Sequence, residues 1–539
     1  MRITALALSA GLFLFGNTSL QAQQPARPPA PLVTTSANLK ELVFDWDPVP
    51  GAYTYWLLEK QNPRGYYTTI QNRIPGSRSR AALPLAVHQF NWWQWRYIVA
   101  SCNTAGCTRS AEIDPLEFML DTIGYFKASN TDAGDRFGRS LAMSADGSTL
   151  AVGAPGESSS ATGVNGNQAD NSSANSGAVY VFRRTGRQWA QEAYLKGGVN
   201  HPEQSFGGPV NTLTKVLAIS SDGAWLAVGA PAEGLASAHV GAVYLFKRDP
   251  QGAWSLATTL RAATPAANDQ FGYSVDMSQD GRTLKVSSLL PVDGAGNPAG
   301  RTHIYVRPGD TWQHSVTLAP YYAGDQCPTV RMTGNGETLL SACRSSVTGG
   351  RRAITQRLIG GAWVRIAEFP LRGFKVGQPL AINFHATRLV IYEGAGKVGR
   401  YFWANGAWVL DATYIGSNDE DTWSASLEFD NNGDNLATTD TIASVEGAGV
   451  LPELFNGGSQ EGASFMWYWV EDSLPRWQPR PTVKAVNPQF QDLFGLAVAL
   501  SGNGRILAVG APMEDGAARG IDGDRTSEGA EDSGAVYLY

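Results

Sequence analysis

An all-β fold is what this sequence predicts. Three observations lead there: a motif recurring along most of the chain, a tryptophan marker in step with it, and no long amphipathic helical pattern. Self-similarity with a period of tens of residues signals a repeat architecture. The copy at Phe137 runs Phe-Gly, a short apolar strand, Asp146-Gly147, then LAVGAP from Leu150, and resumes at Ser176 as SGAVYVF. The copy at Phe494 keeps that order, with Asn503-Gly504, LAVGAP from Leu507 and SGAVYLY from Ser533. Ser220 to Pro231, with Gly241 to Phe246, is a third.

Each element has a local reason. LAVGAP and GAVYVF are apolar runs with β-branched or aromatic residues, bounded by glycine, as buried strands are. The Asp-Gly and Asn-Gly pairs at 146–147, 222–223, 280–281, 335–336, 432–433 and 503–504 suit tight turns needing positive φ. The leucine after the turn recurs at Leu150, Leu226, Leu284, Leu339, Leu389, Leu436 and Leu507. A Trp after a polar turn recurs at Trp189, Trp254, Trp312, Trp363, Trp408 and Trp477. Seven leucines against six Trp-led strands leave the last copy one strand short. Upstream, Pro115 to Lys127 reads as a strand without a partner. Pairing that segment with the last copy leaves no sheet edge open. The expectation for 115–539 is therefore a seven-bladed β-propeller, closed by the segment around 115–127.

Phe-Gly followed by Gly-Ala-Pro resembles the FG-GAP repeat of the integrin α-chain propeller and its bacterial relatives. The resemblance covers about Pro115 to Tyr539, strongest at 137, 206 and 494, weaker at 271 and 423, weakest at 326 and 376. It implies a seven-bladed propeller used mostly for binding or adhesion, although propellers also host enzymes.

Ahead of the repeats, residues 1–22 read as a secretory signal, with Arg2, a short apolar core and Ala22 at the cut. Residues 23–32 read as a Pro-rich linker. Residues 33–113 resemble a fibronectin type III domain: LVFDWDPVPGAYTYWLLEK (Leu42 to Lys60) its B and C strands, with Trp46 as core Trp, and WRYIVASCNTAGCTRSAEI (Trp95 to Ile113) its F and G strands, with Tyr97 in the F position. Cys102 and Cys107 flank a short hairpin turn, and Cys327 and Cys343 lie on either side of Asn335-Gly336. Antiparallel pairing permits a disulfide in each place; the alternative is two pairs of buried thiols.

Net charge is −6 and only 17% of residues are charged, with no basic stripe, which argues against a nucleic-acid partner. No apolar run of membrane-spanning length follows the signal. The family calcium loop, Asp-x-Asp-x-Asp-Gly-x-x-Asp, is not preserved: Ser144 to Thr149 keeps one carboxylate, so Asp146, Asp222 and Asp280 read as turn residues and no cofactor is expected, with calcium elsewhere as the alternative. Asp135, Asp269 and Asp492, two residues before Phe-Gly, read as structural because they recur. No histidine ligand spacing and no nucleophile elbow occurs, and no catalytic residue is expected.

Acidic and amide residues concentrate in the loops from Gly156 to Ser176 and from Met513 to Ser533, with a comparable insertion from about Asp440 to Gly462. Ring closure sets these three loops side by side on one face, and unstructured loops this long are usually functional or disordered. Asn165, Asn167, Asp170, Asp522, Asp524, Glu528 and Asp532 are the candidates for ligand or cation contact; the alternative is a solvated loop. The six repeated Trp read as packing, whereas Trp467 and Trp469 fall outside the pattern. The expected function is that of an exported, non-catalytic binding or adhesion protein, secreted, periplasmic or at the cell surface, contacting a protein or glycan. The alternatives are a carbohydrate-binding propeller and a secreted hydrolase with a site in the central channel.

Overall fold

The computed structural model describes residues 25–539 apart from 200, 209–213, 235–238, 290–299, 323–324, 346–347, 372–378, 395–396, 416–423, 442, 444–447, 452–460 and 471–475. The signal segment lies outside the described residues. Two compact units emerge. One is built on Phe44–Ala81 and Trp95–Asp114, the other on Pro115–Tyr539 together with Ser36–Val43 and Ala82–Gln94. Among the described residues the only helices are 3-10 turns, and none is long and apolar enough to cross a membrane.

Before Pro115 the chain forms a three-stranded sheet (Val33–Asn38, Glu41–Trp46, Arg80–Pro84) and a four-stranded one. The latter runs Thr68–Pro75, Thr54–Lys60, Arg96–Asn103, Gly106–Arg109. Trp46 and Tyr97 are buried, and Cys102 faces Cys107 in register and is bonded to it. The segment expected as a linker packs instead. Pro28 and Pro31 are buried, and the Ser101 hydroxyl and the Asn103 amide donate to the Pro29 and Ala26 carbonyls. Proline lacks an N–H, so such a strip can accept from a strand edge and bury its rings there.

From Ser140 onward the described residues form seven antiparallel sheets. The first runs Ser140–Met143, Thr149–Ala154, Ala178–Thr185, Gln188–Leu195, in chain order from one edge to the other. The next four repeat that order. The sixth (Ser424–Phe429, Asn435–Asp440, Ala463–Val470, Arg476–Val483) adds Val450–Leu451 outside its last strand. The seventh is Ala497–Leu500, Leu507–Ala511 and Ala535–Leu538, and takes Gly124–Phe126 as its fourth strand. All seven anchor leucines lie in second strands, and the Trp-led segments are the outer strands.

Of the segment 115–127, only Gly124–Phe126 is strand. Leu116–Phe118 and Leu120–Thr122 are 3-10 turns, because backbone bonds such as Met119 N–H to Leu116 O satisfy the chain locally while Met119 and Ile123 bury their side chains.

The motif residues are the joints between sheets. A Cβ on Gly153, the glycine of Gly-Ala-Pro, would lie 2.1 Å from the carbonyl oxygen of Gly207, the Phe-Gly glycine of the next sheet. Gly229 meets Gly272 at 2.3 Å in the same way, and Gly510 of the seventh sheet meets Gly138 of the first at 2.1 Å. Only glycine permits so close a backbone approach. The Phe-Gly phenylalanines are fully buried; Phe137 packs on Tyr180 and Phe206 on Tyr244. The tight turns link in series: Asn431 N–H donates to Gly502 O, Gly502 to Ala145, Ala145 to Ser221, Ser221 to Gln279 and Gln279 to Gly334, at 2.7 to 3.1 Å. The repeated Trp join these contacts. Trp189 packs on Phe126 of the seventh sheet, Trp312 on Trp225, and Trp254 and Trp408 donate to Glu192 and Thr355 of the preceding sheet.

Eroded copies show what replaces the motif. In the fifth, Ala386 holds the turn at φ 53°, a conformation costing an L-residue about 1–2 kcal/mol. In the fourth, counted from the anchor leucine, Cys327 stands where Gly138 does and Cys343 where Ala154 does, and the two are bonded. In the first sheet that place is held by Gly138 N–H donating to Gly153 O. Replacing both Cys327 and Cys343 by alanine is expected to lower unfolding free energy by about 3 kcal/mol, the value for a loop of this size; urea denaturation checks it.

Candidate functional site

The three long loops are strapped to their own sheets. In the first, Gly163 O accepts from Lys196 N–H and Asn165 N–H donates to Tyr194 O at 2.7 Å. The Asn165 side-chain oxygen accepts from Tyr194 N–H at 2.9 Å. In the seventh, Gly520 O accepts from Lys127 N–H, Asp522 N–H donates to Tyr125 O at 2.7 Å, and the Asp522 carboxylate accepts from Tyr125 N–H at 2.9 Å. In the sixth, Gly449 O accepts from Lys484 N–H and Val450–Leu451 pairs with the outer strand. Most of that third loop lies outside the described residues.

Beneath each strap sits a buried lysine. Lys196 Nζ lies 2.6 Å from Glu157 Oε2 and 2.8 Å from the Ser176 hydroxyl, and the Tyr194 hydroxyl donates to Glu157 Oε1 at 2.7 Å. Lys127, Glu514, Ser533 and Tyr125 repeat this at 2.6, 2.7 and 2.7 Å. Lys484 pairs with Glu461. Burial lowers the affinity of Lys127 and Lys196 for the proton, and the facing carboxylates oppose that. An asparagine three residues after the lysine carries the network onward. Asn487 donates to Glu514 at 3.1 Å and accepts from Tyr537; Asn130 donates to Glu157 at 3.3 Å and accepts from Tyr180. Each Lys-x-x-Asn segment thus places its lysine in the cluster of one sheet and its asparagine in the cluster of the next.

Sequence reasoning missed these lysines, glutamates and asparagines. The signal was present as Lys-x-x-Asn at 127–130 and 484–487 and as Glu two residues after Gly-Ala-Pro at 157, 233 and 514. In the second sheet Glu233 instead takes Tyr244 at 2.6 Å and Arg261 at 2.5 Å.

The candidate residues divide by role. Asn165 and Asp522 are the straps themselves. Asn167 accepts from Ala169 N–H at 3.1 Å, and Asp524 accepts from Thr526 N–H and its hydroxyl at 2.9 and 2.7 Å. Asp170 gathers Ser160 N–H, the Ser160 hydroxyl and the Ser172 hydroxyl at 2.6, 2.6 and 3.0 Å, which holds its carboxyl below the usual range. Glu528 is exposed, yet partial desolvation and the nearby Glu514 and Asp515 raise its carboxyl. Asp532, at φ 53°, donates its N–H to Asp515 and lies 3.8 Å from Arg136. Among the described residues no hydrogen bond or ion pair joins the first-loop candidates to those of the seventh. The two loops meet at Asp132, which accepts from Asn171 Nδ2 at 3.0 Å and lies 4.0 Å from Arg519.

The turn aspartates behave as turn residues. Asp146, Asp222 and Asp280 each accept from the N–H two residues on and from the serine hydroxyl two residues back; Asn335 and Asn503 do the same with Thr333 and Ser501. Asp135, Asp269 and Asp492 each accept from the N–H three residues back, at 2.9, 2.7 and 3.0 Å. Burial pushes Asp135 up to about 7 and Asp492 up to about 8. Between pH ~4 and these values the folded chain holds protons that the unfolded chain has released, so stability falls as pH rises through that window. Asp492→Asn is therefore expected to melt above the parent at pH ~9 and to lose that advantage by pH ~4; thermal melts across pH check it.

The inner strands of the second unit enclose a narrow passage crossed by ion pairs. Lys215 lies 3.0 Å from Glu428, Arg331 3.4 Å from Glu428 and 3.1 Å from Asp276, and Lys285 3.1 Å from Asp276. Burial alone would raise Asp276, but Lys285, Arg331 and Lys215 outweigh it and hold the carboxyl below its ordinary value. Trp467 is half-buried and donates to Thr438; Trp469 is half-buried beneath the Arg388 guanidinium. Neither offers a bare aromatic platform.

This geometry can be set beside known proteins. Residues 124–182 match the FG-GAP repeat. The matched stretch begins at the strand lent to the seventh sheet and ends within the third strand of the first. No curated protein matches the chain. Similar solved structures include the β-propeller domain of Cps50 (Swd1) from Myceliophteria thermophila, at 11% identity over 76% of this chain and 99% of that one, TM-score 0.43. The periplasmic gluconolactonase PpgL of Pseudomonas aeruginosa is 14% identical over 63% and 86%, TM-score 0.40. The RRP9 WD40 repeats are 13% identical over 77% and 96%, TM-score 0.43. The repeat match supports a β-propeller fold with FG-GAP character.

Proposed function

We propose that this chain is an exported, non-catalytic binding protein, a seven-bladed propeller that presents the strapped loops of its sixth, seventh and first blades as one polar contact surface. A fibronectin type III-like module, supported by the three- and four-strand orders around Trp46 and Tyr97, precedes it. The observation that carries the reading is the polar network under the loops. The first and seventh long loops, fixed to their sheets by buried Lys–Glu pairs and tied to each other at Asp132, present an ordered surface, beside which the described part of the sixth loop is strapped in the same way. Ordered surfaces bind with less entropic cost. Two disulfides fit an oxidising compartment. The partner class is a protein or glycan at the cell envelope.

Removing a whole loop would take Glu514 and Ser533 with it and test folding instead. The informative variant is Asn171→Ala with Asp524→Ala and Glu528→Ala, all exposed. Capture from the native envelope is expected to lose its specific partner with this variant while the melting temperature stays within a few degrees. Unchanged capture would overturn the loop surface.

A further inference from the structure

The fourth sheet departs from the motif at its loop end. Counted from the anchor leucine, Arg344 stands where Pro155, Pro231 and Pro512 do, and Arg351 where Gly177, Gly241 and Gly534 do. In the intact copies that glycine lies against the next sheet: a Cβ on Gly177 would stand 2.2 Å from Phe206 O, and one on Gly241 2.2 Å from Phe271 O. Arg351 carries a Cβ, so a neighbouring backbone cannot close on it as tightly. The connection from second to third strand is also short here, residues 346–350 against Gly156 to Ser176 in the first sheet, and Ser345 N–H donates to Gly350 O at 2.8 Å. Two cations thus occupy a place that is uncharged in the intact copies.

Arg344 and Arg351 are partners in register, and Gln326 faces Arg344 from the first strand. Residues directly opposite share a face of the sheet, so the three side chains form a row across three strands, and like charges in that relation are destabilising. Arg352, one residue on and so on the other face, is paired with Asp325 and Glu368 at 3.4 and 3.3 Å. Among the described residues neither Arg344 nor Arg351 has such a carboxylate, and the Gln326 amide makes no hydrogen bond. Arg344 is exposed, whereas Arg351 is half-buried, with its Nε enclosed and lacking an acceptor among the described residues. An enclosed donor is normally satisfied. One oxyanion bridging the two guanidinium groups answers both the repulsion and the open donor, through the paired, charge-assisted bonds that arginine makes to such groups.

We propose that the loop end of the fourth sheet binds an oxyanion, a free phosphate or the sulfate or carboxylate of an acidic glycan, between Arg344 and Arg351 with the Gln326 amide beside them. The site needs none of the strapped loops, and the loop variant above leaves it intact. The two arginines come together only by strand pairing, so no basic stripe marks them in the sequence.

Isothermal titration of the full chain at low ionic strength with inorganic phosphate, and separately with a sulfated heparin disaccharide, tests this. Saturable binding of at least one of them, with a Kd of about 1 mM or tighter, is expected, and the tighter of the two identifies the source of the oxyanion. Arg344→Gln with Arg351→Gln is expected to weaken it about tenfold or more, the scale of a lost charged hydrogen bond. Arg64→Gln with Arg78→Gln removes the same charge from exposed positions in the other unit and is expected to leave it unchanged. If the first double variant does not fold, Arg344→Gln alone, at an exposed position, decides. No saturable heat with either ligand, affinity unmoved by the folded arginine variant, or equal weakening by the control pair overturns the proposal.

Discussion

Gly510→Val is expected to abolish cooperative folding, while Gly309→Ala is expected to change melting by no more than a degree or two. A Cβ at 510 would stand 2.1 Å from Gly138 O, a backbone atom that the first sheet holds in place, whereas nothing lies within 4 Å of a Cβ at 309. The clash falls at the joint between the last and first sheets, where relief requires parting them. Overpacking of this kind costs upward of about 3 kcal/mol, against a total stability of roughly 5–15 kcal/mol for a native domain. Circular dichroism during urea titration reads the difference. A Gly510→Val chain that unfolds near the parent midpoint would show that the two sheets do not meet as described.

Lys127→Met is expected to lose about 3–5 kcal/mol, because it strands the Glu514 carboxylate, itself almost fully enclosed, without its cation. The penalty comes from the orphaned charge more than from the lost contact, so the double variant Lys127→Met with Glu514→Gln is expected to be more stable than Lys127→Met alone. The neutral amide can still accept from Tyr125. Lys196→Met should behave alike in the first sheet, where Glu157 and Tyr194 repeat the arrangement. Chemical denaturation of the parent, the two single variants and the double gives the coupling directly. Simple additivity would mean that the pair is not an ion pair in the folded chain.

The repeated features were legible in the sequence because each is local. The leucine after the turn, the turn aspartate and the outer-strand Trp have fixed offsets within one copy, and their structural roles recur wherever the offsets do. The need for a lent strand could be counted from seven leucines and six tryptophans. Its extent could not: Leu116 to Thr122 is apolar enough to read as strand, and only the tertiary placement of Met119 and Ile123 favours turns. The lysine network was hidden for another reason. Lys127 and Glu514 are 387 positions apart, and charged residues read in isolation as solvent-facing. Asn165 and Asp522 drew attention as ligand candidates for the same polarity that makes them straps, and a left-handed Asn or Asp is well suited to cap a strand from outside.

The sequence motif is out of phase with the sheets. One unit, as it is written in the chain, carries the outer strand of one sheet and three strands of the next. A duplication or deletion cut at the motif boundaries would therefore add or remove one such unit while every severed end found an equivalent mate. Phase of this kind lets such a chain gain or lose whole sheets without exposing an unpaired strand.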